Sequence, residues 1–294
     1  MNSDGKVSLE ETLNFINFLT MKSKEKSPES YIAIKNAINI FSIPTQRFLF
    51  KKSNFLYRAH NNDKTPRFFS DTRLGANRHP NTIEKFGRAN EPGQSVFYCS
   101  DNCYVAYMET SHVVRNTDKP LKHKMTIGTW EVVEDLRLAT LPSNSTIAGL
   151  NPTVDALHKN YMELVEQYRD GTTDSTLVLL DYFSRMFSSE ADGDSTNYLI
   201  SCAIANYYYE NLVFDYELQK AIYLDGIIYP SVMLKTEGVN LALTYDTYNS
   251  REPVKLKLVD VVELTMVRVG DKTYEEETIV KCKSINQETG EILW

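Results

Sequence analysis

Three consecutive stretches of helical periodicity, set between groups of short strand-like runs, constrain this chain more than any other feature. Residues 153–169, 174–187 and 195–210 space their apolar side chains as one helix face requires, for example Leu157, Tyr161, Leu164 and Val165, then Leu199, Cys202, Ala203 and Asn206. Before this block lie β-rich runs at Phe55 to His60, Ser95 to Ser100 and Met125 to Val133. After it lie Gly226 to Ser231, Asn240 to Tyr245, Val254 to Val269 and Thr278 to Ser284. Strands on both sides of helices, with a long β-rich tail, predict a mixed α+β domain. The chain shows no internal repeat and no low-complexity tract.

The first fifty residues have a different character. Ser8 followed by Glu11 makes a capping box, after which Leu9, Leu13, Ile16 and Leu19 recur at helical spacing. A second amphipathic run covers about Tyr31 to Phe41, and the polar linker Lys-Ser-Lys-Glu-Lys-Ser-Pro separates the two. Residues 1–50 are therefore expected to form a small helical appendage, and residues 51–294 the main domain. Asp4 to Ser8 with Glu11 also mimics the second half of a calcium-binding loop. The acidic ligand that should precede it and the incoming helix are both missing, so capping is the better reading.

A chain of 294 residues with 42% hydrophobic and 24% charged residues can bury one large core or two modest ones as a soluble globular protein. Its net charge of −7 argues against sequence-independent nucleic-acid binding, which relies on Lys and Arg displacing counterions from phosphates. The densest basic group, Lys119, Lys122, His123 and Lys124, sits beside a proline and reads as a solvated loop. The four cysteines form no framework and no charged leader precedes an apolar stretch, so a reducing cytoplasm fits best. The apolar runs around Ile227 and Leu241 are too short to cross a bilayer, and no membrane span is expected.

Four places could carry chemistry. Phe86 to Ser100 is a turn punctuated by glycine and proline that feeds a strand, a good setting for a site, although Arg88 within it reads equally as a surface charge. Asp101 can cap a short helix that places Val105, Ala106 and Glu109 on one face. Glu109 is then aimed inward near the carboxyl end of that helix, where the dipole disfavours an anion; function or a buried arginine partner would explain it. Arg58 sits inside the apolar strand Leu56-Tyr57-Arg58-Ala59, where a buried guanidinium must meet a carboxylate or a phosphate. Gly226 to Ser231 resembles a buried strand stopped by proline, with the Ser231 hydroxyl at its end.

Taken in order, these pieces resemble the RES domain, a family of NAD-consuming bacterial toxins named for an arginine, a glutamate and a serine. The match consists of Arg58 within Leu-Tyr-Arg, the Gly-Arg-x-Asn-x-x-Gly turn at 87–93, the Phe97-Tyr98 pair, Glu109, Gly-Ile-Ile-Tyr-Pro-Ser at 226–231, and Glu237 to Leu243. The resemblance covers roughly residues 54–245. It implies an ADP-ribosyltransferase-like fold with a mixed β core, NAD as substrate with no separate cofactor and no metal, and an Xre-type antitoxin as protein partner. By the same analogy Arg58 and Arg88 would hold the pyrophosphate, Tyr57 and Tyr98 would pack on the nicotinamide side, Asn90 would be a further substrate-binding residue, Glu109 would face the reacting ribose, and Ser231 would hydrogen-bond within the site.

Those residue types suit the chemistry. Loss of nicotinamide leaves positive charge on the ribose, which a carboxylate in a water-poor pocket stabilises. Arginine forks match phosphate oxygens bidentately. The chain departs from a compact family member at 1–50, at the polar stretch 61–86 and at the helical block 140–195. The stretch 61–86 is either a lid or an exposed loop. Cys99 and Cys103 with His112 lack the ligand spacing for zinc, and the five histidines show none either. The acceptor of ADP-ribose, whether water, phosphate or a protein, stays open, as do self-association and the alternative of a catalytically inactive nucleotide-binding protein.

Overall fold

Both faces of the central strands are apolar, and this sets the architecture. In the computed structural model, which describes residues 7–41, 45–62, 67–77, 79–111, 122–141, 151–167, 173–189, 198–231, 234, 237–250, 253–270 and 273–294, a nine-stranded mixed sheet carries helices on it. The chain opens with α1 (Leu9–Ser23) and α2 (Pro28–Phe41), followed by β1 (Arg47–Phe50), β2 (Phe55–Asn61), β3 (Val96–Ser100), α3 (Cys103–Thr110), β4 (Lys122–Val132) and β5 (Leu136–Thr140). The helical block follows as α4 (Pro152–Gln167), α5 (Thr173–Ser188) and α6 (Leu199–Glu210). A small hairpin of β6 (Val213–Asp215) and β7 (Lys220–Ile222) leads into β8 (Gly226–Pro230), β9 (Val239–Thr244), α7 (Tyr245–Tyr248), β10 (Leu256–Gly270), β11 (Thr273–Lys281), β12 (Ser284–Ile285) and β13 (Ile292–Leu293). The order across the sheet is β1-β5-β8-β9-β3-β2-β4-β10-β11, and only β5 and β8 pair in parallel.

The mixed α+β class is the one expected. In β8, Ile227 and Tyr229 point into the helical layer, whereas Ile228 points to the other face with Phe97, Leu241 and Leu243. Burial on both faces is why these strands read as continuous apolar runs rather than as an alternation. Gly226 is required by close packing: a Cβ there would lie 2.4 Å from the Ala242 carbonyl oxygen. The edge strand β1 and its neighbour β5 are not among the runs expected from the sequence, being four and five residues long.

The two amino-terminal helices share a core with the helical block. Leu19, Tyr31, Ile34 and Ile38 pack with Phe183, Phe187, Ile204 and Tyr208, and the Thr20 hydroxyl lies 3.0 Å from that of Tyr182. The capping box forms as expected: the Glu11 N–H donates to Ser8 Oγ at 3.2 Å, and the Ser8 N–H to Glu11 Oε2 at 2.9 Å. Asp4, Gly5 and Lys6 of the calcium-loop mimic lie outside the described residues.

One local expectation is corrected. Lys122, His123 and Lys124 are not a solvated loop; they belong to β4, with His123 fully buried, Lys124 3.1 Å from Glu263 and Lys122 paired with Glu277. Antiparallel pairing with β10, itself paired with β11, brings these carboxylates alongside β4, so the basic run is neutralised within the sheet. Lys119 lies outside the described residues. In the stretch 61–86, much of whose described part is exposed, residues 67–69 are anchored to the end of the chain and to β10. Arg67 pairs with Glu263 at 2.8 Å, the Trp294 indole N–H donates to the Phe68 carbonyl at 2.7 Å, and the Ile292 N–H donates to Phe69 at 3.0 Å. Burial pushes the Glu263 carboxyl pKa up, but Arg67 and Lys124 outweigh that and hold it below its ordinary value.

Candidate active site

The site opens where the sheet comes apart. β2 and β3 are neighbours yet pair at one position, Tyr57 opposite Ser100. Away from that bridge they diverge, and a cavity of about 250 Å³ occupies the gap, walled in part by Tyr57, Arg58 and Ala59 from β2 and by Tyr98 and Cys99 from β3.

Arg58 is held on two sides. Its guanidinium lies over the Phe97 ring at 4.9 Å, and its Nε donates to His60 Nε2 at 3.0 Å. His60 sits two residues along on the same face of β2, as strand geometry dictates. Burial and the neighbouring Arg58 push the His60 pKa down to about 3, so the ring is neutral and accepts this proton. Burial lowers the Arg58 pKa to about 10, which still leaves it a cation at neutral pH. Its Nη1 is buried and bonded to nothing, and no carboxylate pairs with it among the described residues. Arg58 as a whole is half-buried, and the one nitrogen left buried without an acceptor carries a desolvation cost that a bound anion relieves.

Opposite stands Glu109, on the last turn of α3. The helix starts not at Asp101, as expected, but one residue later: Asn102 Oδ1 accepts from the N–H groups of Tyr104 and Val105 at 2.8 and 3.3 Å. Asp101 instead accepts from the Val239 N–H at 2.8 Å and from Asn151 Nδ2 at 3.1 Å, pinning the start of β9 to the helix. Burial of Val105, Ala106, Tyr107 and Met108 leaves Glu109 half-buried at the cavity. Two donors meet its Oε1: the Ser231 hydroxyl at 2.6 Å and Asn240 Nδ2 at 3.0 Å. Ser231 is fully buried just past the end of β8, where Pro230 stops the strand, so it stands behind the carboxylate rather than on the wall.

The turn before β3 closes another side. The Gly87 N–H donates to the Asn90 carbonyl at 2.9 Å, and a Cβ on Gly87 would collide with Asn90 Oδ1 at 2.1 Å. Gly93 has φ +80°, which favours glycine. The Tyr98 hydroxyl accepts from the Ala89 N–H and donates to Asn90 Oδ1, both at 2.8 Å. Asn90 therefore braces the turn from behind, and Tyr98 presents its ring to the cavity with its hydroxyl already engaged.

Arg88 reaches the cavity but is also committed to the helical block. Nη1 donates to the Phe187 carbonyl, Nη2 to that of Ser189 at 3.0 Å, and the guanidinium lies 5.1 Å from the Tyr198 ring. The carboxyl end of α5 thus holds this cation, as carbonyls there favour. Sequence reasoning missed Tyr198, Tyr229 and Asn240 as cavity walls. Asn240 carried a visible signal, a polar residue inside the apolar run Val239 to Leu243; Tyr198 carried none. Cys99 also lines the cavity, but burial pushes its thiol pKa up, against a thiolate nucleophile.

Arginine, glutamate and serine, remote in the chain, meet around one opening in the sheet. A comparison with protein-family models matches the RES domain over residues 55–262. The chain belongs to the RES-domain family. No curated protein and no solved structure gives a match. The matched span runs from the first residue of β2 into β10 and includes every wall of the RES-domain cavity described above. No helix among the described residues is long and apolar enough to cross a membrane.

Proposed function

We propose that this RES-domain protein binds NAD in the cavity between β2 and β3 and breaks the bond between nicotinamide and ribose. The observation that carries this reading is a half-buried arginine whose Nη1 is buried and unused, with no carboxylate paired to it among the described residues, sharing a cavity with a carboxylate that accepts from Ser231 and Asn240. A dinucleotide answers both: phosphate oxygens for Arg58, and a ribose that becomes cationic for Glu109.

When the C1′–N bond breaks, its electron pair leaves with nicotinamide, and C1′ gains positive charge. The Glu109 carboxylate faces that charge, while Ser231 and Asn240 fix its orientation. Water capturing C1′ yields ADP-ribose and a proton; inorganic phosphate yields the 1-phosphate of ADP-ribose. Tyr57 and Tyr98 supply flat walls on the nicotinamide side. In the cell we place the protein in the cytoplasm as the toxin of a pair, silenced by an Xre-type antitoxin. Transfer of ADP-ribose to a protein instead of a small acceptor is the alternative outcome of the product assay.

Incubating the purified protein with NAD, with and without phosphate, is expected to release nicotinamide, and the second product identifies the acceptor. NAD left intact in both buffers, with no labelled protein, refutes the reading. Arg58→Lys keeps the charge but loses the planar fork, so KM for NAD is expected to rise about tenfold. An unchanged KM and kcat would make Arg58 a structural residue. Ser231→Ala removes one donor to Glu109 and is expected to lower kcat about tenfold with little change in KM.

A further inference from the structure

The cavity that holds Glu109 is small for a dinucleotide. Pockets that bury a drug-sized ligand run about 300–1,000 Å³, and this one has about 250 Å³. A second cavity of about 490 Å³ shares one wall residue with it, Arg58. Together they reach well into the range expected for such a ligand.

The second cavity is chemically distinct. Arg58, His60, Arg73 and His79 line it along with Phe68 and Asn77, and no Asp or Glu does so among the described residues, although the chain carries a net charge of −7. Its wall is built rather than fortuitous. Phe68 is buried, the Arg73 guanidinium lies over its ring at 5.1 Å, and the Trp294 indole N–H holds the Phe68 backbone. Arg67 anchors the same segment to Glu263. Residues of the polar stretch 61–86 thus form much of the wall of a basic, partly aromatic chamber.

We propose that this second cavity seats the adenosine 5′-phosphate half of the dinucleotide, with Arg58 at the junction beneath the pyrophosphate. The proposal rests on the reading of NAD as substrate. A dinucleotide carries its negative charge at the middle and a flat base at each end. Arg58, which lines both cavities and keeps one buried, unbonded nitrogen, is the residue that would meet that middle. Arg73 and His79 offer donors to the adenosine-side phosphate and ribose, and the exposed His79 ring offers a face to a purine.

The test uses half-ligands. Calorimetry with the full-length protein is expected to show AMP binding, weakened about tenfold or more by Arg73→Ala, in line with loss of a hydrogen bond to a charged group. The same substitution should raise KM for NAD about tenfold while kcat stays within about twofold, and should lower kcat/KM for NAD relative to that for nicotinamide mononucleotide. Asn77→Trp, a substitution at an exposed wall residue that fills the chamber, should abolish AMP binding. AMP bound equally well by both variants, or an unchanged KM for NAD, would overturn the proposal; nicotinamide release by the unaltered protein would then still support the cleavage reading. Failure of the unaltered protein to bind either AMP or NAD would overturn both.

Discussion

Glu109→Gln is expected to slow nicotinamide release from NAD by about 10²-fold or more, equivalent to about 2.7 kcal/mol of transition-state stabilisation. The substitution keeps shape and volume. A glutamine side-chain oxygen can still accept from the Ser231 hydroxyl and Asn240 Nδ2, which both converge on one oxygen of Glu109. What is lost is the negative charge opposite the developing ribose cation. Ground-state NAD carries only part of that charge at C1′, so KM should change far less than kcat, the signature of an interaction realised mainly in the transition state. An unaltered kcat in a variant with an unaltered melting temperature would remove Glu109 from the chemistry. A fall in kcat accompanied by loss of folding would show instead that the carboxylate mainly anchors β8 and β9 to α3, and Glu109→Ala with intact folding would separate the two.

The sequence carried the fold class because strand and helix periods differ, and both central strands and the helical block are long enough to show them. Arg58 and Glu109 also stood out locally, as a cation in an apolar strand and an anion at a helix carboxyl end, whereas Ser231 alone read as a turn former and drew notice only through the family resemblance. What the sequence could not carry was the opening itself. That β2 and β3 pair at a single position is a property of sheet order and divergence, which no residue pattern encodes. For the same reason the engagement of Arg88 by the end of α5 was hidden, since the two are about a hundred residues apart and meet only through tertiary packing. Lys122 to Lys124 show the reverse failure. A local composition rule read them as loop, and pairing with β10 overrode it.

Removing residues 1–45 is the second change with a large expected effect, and the loss should extend from the core to the site. Leu19, Tyr31, Ile34 and Ile38 are buried against α5 and α6. At about 1.5–3 kcal/mol for each large apolar side chain, four of them contribute about 6–12 kcal/mol, comparable with the roughly 5–15 kcal/mol by which a whole domain is stable. A chain beginning at Gln46 is therefore expected to lose cooperative unfolding, and Ile34→Ala alone to cost about 2–5 kcal/mol. The same helices also brace the cavity. The Tyr31 ring lies 4.8 Å from Phe86, its hydroxyl accepts from Asn206 Nδ2 at 3.2 Å, Gln94 donates to Asn206 Oδ1 at 2.7 Å, and the Glu91 N–H donates to Gln94 Oε1 at 3.0 Å. This chain of contacts ends on the turn that carries Arg88 and Asn90, so Tyr31→Ala should raise KM for NAD in a protein that still folds. A truncated chain that melts cooperatively and retains full activity would instead make residues 1–50 a separable appendage.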